Sequence, residues 1–431
     1  MIKFVNAVLR AITRKSKHEL LTKHAKPNLN IAKWLIDDWE TNWGVQETKL
    51  ISDQLMKEPF IDLSVKAFYF DYKNDNNDIQ KKQQIELERI QYQLLDDYIS
   101  DKNSKQEAHN QPSMEEMNKS FRKNDELESK IQINDKHKES VIETVLLPHG
   151  IIRTKHFRGA INSWPLYNEG LWWVQDAASA LPALALCNGL RQKFQSSSNY
   201  LSKLHVVDMC SAPGGKCAQL LSAGIGHVTA IEANKRRSKR LLENLNRLKF
   251  TTDQYTVVVA NGQDWFPNYA HKEEGSQHAR TFQDNVVSGV LVDVPCSATG
   301  TGSKRPDVLR KDPTDLDELL LTQEALANHC ADVILEKGGI MVYATCSLLK
   351  RESEDQVKKL IWRGHQQQKQ SSKTNVRKVG KMETLPFLPG EIPGFDDAID
   401  ENGWLRVLPG LLNGELKSCD GFFVARLIKT E

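Results

Sequence analysis

What this sequence lacks narrows its class before any motif is read. No apolar run approaches the roughly 18 residues that a membrane-spanning helix needs. The first ten residues, MIKFVNAVLR, have neither the apolar stretch nor the cleavage pattern of a secretory signal and read as a short amphipathic helix. Net charge is scarce: 58 Lys and Arg against 56 Asp and Glu leave +2. A polyanionic partner therefore has to be met by local basic patches, not by the field of the whole molecule. Paired cysteines are missing too. The seven cysteines are an odd number, all lie beyond residue 186, and no CxxC pair or matching His spacing offers a zinc site. Free thiols in a reducing compartment, with no metal and no membrane, are the expectation.

What is present is enough chain for two or three domains of roughly 150 residues each. A mean hydropathy of −0.51 is low for one continuous globule, and a polar stretch accounts for it. Between Tyr72 and Glu143 there is no glycine, one proline (Pro112) and a dense mixture of Lys, Asp, Glu, Asn and Gln. Such a segment buries little apolar area against its ordering entropy, so a solvated helix around Ile79 to Ile99 within an otherwise disordered insertion is expected over 71–143. Residues 1–70 read as helical, with Val5, Val8, Leu9 and Ile12 on one face, a basic cluster from Arg10 to Lys26, and an amphipathic helix over Ile31 to Trp39.

From 144 to 431 short apolar runs alternate with helical patterns. Strands are expected at Leu204 to Met209, His227 to Ile231, Tyr255 to Ala260, Gly289 to Val294, Gly339 to Ala344 and Gly421 to Leu427, with helices notably at Lys235 to Lys249 and Leu316 to Lys337. Apolar strands alternating with helices imply an α/β, Rossmann-like parallel sheet covered on both faces, the last strand being an antiparallel addition.

Residues His205 to Lys216, HVVDMCSAPGGK, read as a buried strand, a Pro-Gly-Gly turn and the start of a helix. In a doubly wound sheet that first turn is where ligands sit, since glycines let backbone N–H groups approach without a Cβ in the way. Glu232 closes the second strand about 24 residues after Asp208, where an acid accepts hydrogen bonds from a ribose diol. GxGxxG is absent, which disfavours a nicotinamide dehydrogenase. The loop suits a nucleoside without phosphate, and S-adenosylmethionine is the obvious choice.

Two cysteines stand where the next strands end. The fourth strand runs into Asp293-Val294-Pro295-Cys296-Ser297 and the fifth into Thr345-Cys346-Ser347, so both thiols fall on the carboxyl edge of neighbouring strands. Carbon 5 of cytosine is too poor a nucleophile to take a methyl group directly. A thiolate adding to carbon 6 pushes electron density onto carbon 5, and a second thiol can assist when the enzyme sulfur is later expelled. Asp293 is the acid that would share a proton near N3. A free thiol starts near pKa ~8.5, so the nucleophile needs an electropositive setting, for which Lys216, Lys304 and Arg305 are the candidates. The residues alone leave open which thiol attacks. Cys187, Cys217, Cys330 and Cys419 read as small buried hydrophobes.

The segments DMCSAPGGK (Asp208 to Lys216), DVPCSATGTGSKRPD (Asp293 to Asp307) and YATCSLLKRESEDQV (Tyr343 to Val357) resemble the RNA cytosine-C5 methyltransferases, specifically the bacterial 16S ribosomal RNA methyltransferase B group. Val174 to Ser179 and Asp420 to Leu427 resemble its flanking motifs, so the likeness runs from about Gly170 to Glu431. The resemblance implies that Cys346 is the nucleophile and that Cys296 helps release the methylated base. It implies that Cys210, Ser211, Ala212, Pro213, Gly214, Gly215, Lys216, Glu232 and Asp293 surround S-adenosylmethionine. The family usually has Asp after the third strand to take the adenine amino group; here Asn261 stands at that site, still able to accept, with Asp264 as a shifted alternative. Phe4 to Arg10 resembles the last helix of a NusB-like RNA-binding domain, most of which the sequence does not contain.

Chemistry on a base requires an extruded or unpaired cytosine, so the flanking backbone has to be gripped. Lys304, Arg305 and Arg310 follow the Cys296 loop and are the first candidates for phosphate contacts; Arg153, Lys155, His156, Phe157 and Arg158 form a second basic-aromatic surface. The leading reading is an S-adenosylmethionine-dependent cytosine-C5 methyltransferase acting on ribosomal RNA. The same chemistry on transfer RNA or large-subunit rRNA, and a non-catalytic RNA-binding ribosome-assembly factor, are the alternatives. A cytoplasmic location is expected, or an organelle or the nucleolus if the N-terminus is incomplete.

Overall fold

The computed structural model describes residues 26–66, 85–94, 143–155, 159–194, 200–267, 286–367 and 379–431. The first amphipathic helix, the NusB-like resemblance at Phe4 to Arg10, residues 156–158 and most of the polar stretch lie outside the described residues. The chain forms two compact units, one from the residues up to Pro59 together with Gln175–Glu431, the other Phe60–Val174. These divisions differ from the expected boundaries at 70/71 and 143/144, because strands on either side of the polar stretch pair with each other.

In the Phe60–Val174 unit, β1 (Ile61–Val65), β2 (Glu143–Leu147), β3 (Ile151–Lys155) and β4 (Trp172–Val174) form an antiparallel sheet in the order β2-β3-β1-β4. Ile61-Asp62-Leu63-Ser64-Val65 alternates with a period of two, a strand signal inside a region expected to be helical. Residues 85–94 are helical, but not solvated all round. Leu87, Ile90 and Leu94, at helical spacing, are buried against Leu63, Val65 and Trp172. Arg153, expected on an RNA surface, is also a correction. Its guanidinium is buried and makes two hydrogen bonds of 2.8 Å to the buried Asp62 across the β1–β3 pair.

In the larger unit a single helical turn at Pro27–Asn30 is followed by two helices, α1 (Lys33–Trp43) and α2 (Val45–Leu55), joined at Gly44. Leu35, Trp39, Ile51 and Leu55 are buried with Ala298, Leu309, Leu348 and Leu349, which flank the two cysteine loops. Each such aliphatic or aromatic side chain contributes about 1.5–3 kcal/mol by leaving water. The helical pair thereby forms the floor on which those loops rest. α3 (Ala177–Lys193) follows, with Asp176 accepting the Ala178 N–H at its start.

The sheet of this unit is built from β5 (His205–Met209), β6 (His227–Ile231), β7 (Tyr255–Val258), β8 (Val287–Asp293), β9 (Ile340–Thr345), β10 (Met382–Thr384), β11 (Leu405–Val407) and β12 (Phe422–Lys429). Its order is β10-β12-β9-β8-β5-β6-β7, with β11 also pairing with β12. Strands β5 to β9 run parallel and β12 is antiparallel to β9, as expected. Period two along β8 sends alternate residues to opposite faces. Gly289 lies under Leu186 and Leu190 of α3, whereas Val290 and Val292 join the core containing Leu326, Ala331 and Leu360. Those core residues belong to or follow α6 (Leu316–His329) and α7 (Glu354–Gln367), while α4 (Gly215–Ser222) and α5 (Lys235–Arg247) follow β5 and β6. The register pairs Met209 with Ile231 and with Val292, and Asp293 with Ala344, so the loops after β5, β6, β8 and β9 leave one edge. Between β5 and β8 the strand order reverses, which opens a crevice at that edge.

Candidate active site

The loop after β5 is held by its own strand and by β6. Ser211 Oγ donates to Asp208 Oδ2 at 2.6 Å, and the Ser211 N–H donates to the Ile231 carbonyl at 2.9 Å. Gly214 turns the chain into α4 at φ +105°, a conformation that L side chains rarely adopt, and a Cβ there would sit 2.6 Å from Leu241. The other Asp208 oxygen, Oδ1, is buried without a hydrogen-bond partner. Burial pushes the Asp208 carboxyl up to about 7, although the Ser211 hydrogen bond and the Lys216 charge pull it back.

Glu232 follows β6 and is buried. Its Oε1 accepts the Asn234 N–H at 3.0 Å, while Oε2 makes no hydrogen bond and lies 3.4 Å from the Arg237 guanidinium. Arg237 also donates to the Ala212 carbonyl at 2.7 Å, tying the β6 loop to the β5 loop. Asp208 Oδ1 and Glu232 Oε2 are thus two buried carboxylate oxygens without a hydrogen bond, near the carboxyl ends of β5 and β6. Asn261, after β7, is exposed, donates to Asp264 Oδ2 at 3.0 Å and accepts from the Gln263 N–H at 3.4 Å. The two alternatives for that position are thus a single hydrogen-bonded pair.

The two cysteines meet. Cys296 Sγ and Cys346 Sγ are 3.5 Å apart, both half-buried. Gly300 makes this possible, because its N–H donates to the Cys346 carbonyl at 2.9 Å and a Cβ would lie 2.3 Å from the Gly421 carbonyl oxygen. The hydrogen bond and charge shared with Cys296 hold the Cys346 thiol well above the ordinary range, helped by burial and by the Asp293 charge, while the Lys216 charge opposes them. Lys216 is therefore the electropositive neighbour. It donates to Asp293 Oδ2 at 2.7 Å; burial disfavours its charge, but Asp293 outweighs this and leaves it raised.

Lys304 does not serve that purpose. Its ammonium lies between Asp176 and Asp420, 2.9 Å from the latter, which raises its pKa despite burial and ties β12 to the start of α3. Arg305 is exposed with Asp307 at 3.6 Å, and Arg310 donates to the Leu29 carbonyl at 2.6 Å.

Sequence reasoning passed over Glu352, although it lies within a quoted segment. This carboxylate is wholly buried and takes hydrogen bonds from residues of both cysteine loops. It also passed over Arg406, which donates to the Ser347 carbonyl at 2.8 Å and pairs with Glu354. The basic run of α5 was taken only as a helix. Arg236, Lys239 and Arg240 are exposed and, with Asn234, Arg237 and Glu243, line a depression of about 590 Å³. Buried acids and a helical basic run carry no spacing signal, so only the fold distinguishes them from solvated charges. Among the described residues no group of three metal-ligating side chains occurs and no helix is long and apolar enough to cross a membrane.

Comparison with known proteins gives a consistent outcome. Residues 200–428 match the family described as 16S rRNA methyltransferase RsmB/F. Ribosomal RNA small subunit methyltransferase B of Shewanella oneidensis is 30% identical over 269 residues, covering 62% of this chain and 49% of that protein. Ribosomal RNA small subunit methyltransferase F of Shewanella pealeana is 31% identical over 272 residues, covering 61% and 48%. The chain spans about half the length of the curated relatives it matches. Among solved structures, a methyltransferase homolog from Pyrococcus horikoshii shares the fold at TM-score 0.54 and 18% identity, covering 96% of this chain and all of that one (100%). NSun6 from Pyrococcus horikoshii, solved with SFG, does so at TM-score 0.52 and 19% identity, covering 93% and 99%.

Proposed function

Because the chain belongs to the family of the 16S rRNA methyltransferase RsmB/F, we propose that it transfers a methyl group from S-adenosylmethionine to carbon 5 of a cytosine in RNA, with ribosomal RNA as the substrate. The observation that carries this reading is the pair of thiols 3.5 Å apart at the ends of β8 and β9, beside the Lys216–Asp293 pair. A scaffold has no use for two thiols in contact at the edge where such sheets do chemistry.

The residues at the crevice fit the cofactor. Glu232 Oε2 and Asp208 Oδ1 are buried acceptors without hydrogen bonds, and an acid after β6 is suited to a ribose diol. The loop from Cys210 to Lys216 and Asp293 would hold the rest, with Asn261 accepting from the adenine amino group. When bound, S-adenosylmethionine supplies an electrophilic sulfonium methyl group.

The chain's own residues prepare the base. Cys346, losing its proton, forms a bond from sulfur to carbon 6 of the ring, and the displaced π electrons become available at carbon 5. Asp293, the last residue of β8, accepts from Lys216 at the start of α4, and a proton shared there with N3 would make the ring a better acceptor. After carbon 5 has gained its methyl group its proton passes to Cys296 Sγ, and the electrons of that C–H bond restore the carbon 5–carbon 6 double bond. The carbon–sulfur bond then breaks with its electrons returning to Cys346, and Cys296 assists in that release. Arg305 and Arg310, with the exposed face of α5, are proposed to meet the RNA backbone. The bacterial relatives and seven cysteines that form no disulfide favour the cytoplasm.

The test is methyl transfer from labelled S-adenosylmethionine to unmodified small-subunit rRNA. Wild type should label cytosine, Cys346→Ala should label nothing, and Cys296→Ala should accumulate a covalent RNA adduct. Binding of RNA with no transfer to any RNA offered would favour an assembly factor instead.

A further inference from the structure

Each thiol of the pair is followed by a serine, and both serines converge on one acid. Glu352 Oε1 accepts the Ser297 backbone N–H at 2.9 Å and Gln323 Nε2 at 3.0 Å. Its Oε2 accepts the Ser297 hydroxyl at 2.5 Å and the Ser347 hydroxyl. A carboxylate has about four lone-pair sites, and here four donors occupy them. Gln323 donates to the Pro295 carbonyl as well, at 2.9 Å, so Cys296 is bracketed on both sides by groups that lead to Glu352. On the other strand, the Ser347 hydroxyl accepts the Leu349 N–H at 3.0 Å, and Arg406 holds the Ser347 carbonyl at 2.8 Å.

We propose that Glu352 is the positioning residue that keeps Cys296 and Cys346 in contact distance, so that one thiol can attack the base and the other can act on the same adduct without the loops separating. The proposal rests on the two-thiol reading of the site, but the geometry it invokes exists without RNA. Glu352 touches neither sulfur and no substrate atom; it acts through the peptide that follows each cysteine.

The donor pattern makes the variants differ in kind. Glutamine at 352 keeps its carbonyl oxygen toward the Ser297 N–H and Gln323, and turns its amide toward two hydroxyls that can rotate and accept. The Ser297 N–H and Gln323 keep their acceptor, and of the two hydroxyls, 3.0 Å apart, one can donate to the other. Aspartate withdraws the carboxylate by about 1.5 Å, one carbon–carbon bond, too short to serve both loops.

Two readouts decide. The first is the rate at which diamide closes the Cys296–Cys346 pair without RNA. This azo oxidant takes the two electrons and two protons of the thiols and becomes the hydrazine, and mass mapping identifies the linked peptide. The second is kcat for methyl transfer, separated from KM for RNA. Glu352→Gln should close the pair and turn over close to wild type. Glu352→Asp should slow closure and lower kcat by about 10²-fold, the scale of a misplacement of roughly 1 Å, with KM little changed. Equal closure and equal kcat in wild type and Glu352→Asp overturn the proposal, as does a Glu352→Gln variant as impaired as Glu352→Asp. Should Glu352→Asp fail to fold, Ser297→Ala with Ser347→Ala removes two donors and leaves the acid; unchanged closure there also overturns it. A wild type that transfers no methyl group sinks the proposed chemistry alone, because the closure rates still decide the role of Glu352.

Discussion

Asp208→Asn isolates the cost of one buried acid at the head of the sheet. Asp208 is 1% exposed, one of its oxygens has no hydrogen bond, and its carboxyl is pushed from 3.8 up to about 7 by burial, with Asp293 and Glu232 adding to the effect. Below pH 3.8 the group is protonated in both folded and unfolded chains, and the folded state bears no charge penalty. As pH rises from 3.8 to about 7 the unfolded chain ionises while the folded one resists, so stability falls through that window and levels off above it. At ~1.4 kcal/mol per pH unit the loss amounts to about 4 kcal/mol. Asparagine keeps the shape and still accepts from Ser211, but it has no proton to lose. Urea denaturation of both proteins from pH 4.5 to 8 should show the variant gaining on wild type steadily up to neutral pH, then holding a constant advantage. Titrations common to both proteins cancel in the difference. A stability difference that does not change with pH would refute the assignment of a buried, ionisable and under-satisfied Asp208.

Further predictions concern the thiols, the smaller unit and the RNA surface. In Cys296→Ala the hydrogen bond and the charge that raise the Cys346 thiol are gone, so alkylation of Cys346 by iodoacetamide, followed by peptide mass, should rise at lower pH than in wild type; an unmoved profile contradicts this. Arg153→Met or Asp62→Asn alone strands a partner of a buried pair and should cost about 3–5 kcal/mol in urea unfolding, whereas Arg153→Met with Asp62→Leu should recover most of it. Arg236→Glu, Lys239→Glu and Arg240→Glu together should weaken RNA binding and reduce the salt dependence by about 2 in log–log slope, from three lost phosphates at ~0.7 each. Binding with an unchanged slope would remove α5 from the RNA surface.

The catalytic sheet was legible in the sequence because its signals are local. Parallel strands buried on both faces read as continuous apolar runs, and β5, β6, β8, β9 and β12 lie within two residues of their expected bounds. The turn at Pro213-Gly214-Gly215 and the two cysteines after strand ends are likewise properties of neighbouring residues. The antiparallel unit was not legible, since β1 pairs with β3 across 85 or more intervening residues and no local pattern announces a partner so far away. For the same reason Arg153 read as a surface cation; its burial is set by Asp62 on another strand.

Sequence by itself determined the kinds of group at the crevice: two thiols, a lysine, three acids and a glycine-rich turn. Tertiary structure alone decided which of them act on one another. Lys216 and Lys304 are the same residue type near the same motifs, yet one faces Asp293 beside Cys346 and the other is held by Asp176 and Asp420. Glu352 carries no signal in the sequence, yet it is the common acceptor of both cysteine loops. Electrostatic and hydrogen-bond energies depend on distances of a few ångströms and on exclusion of water. Those distances are fixed only when strands distant in sequence come into register.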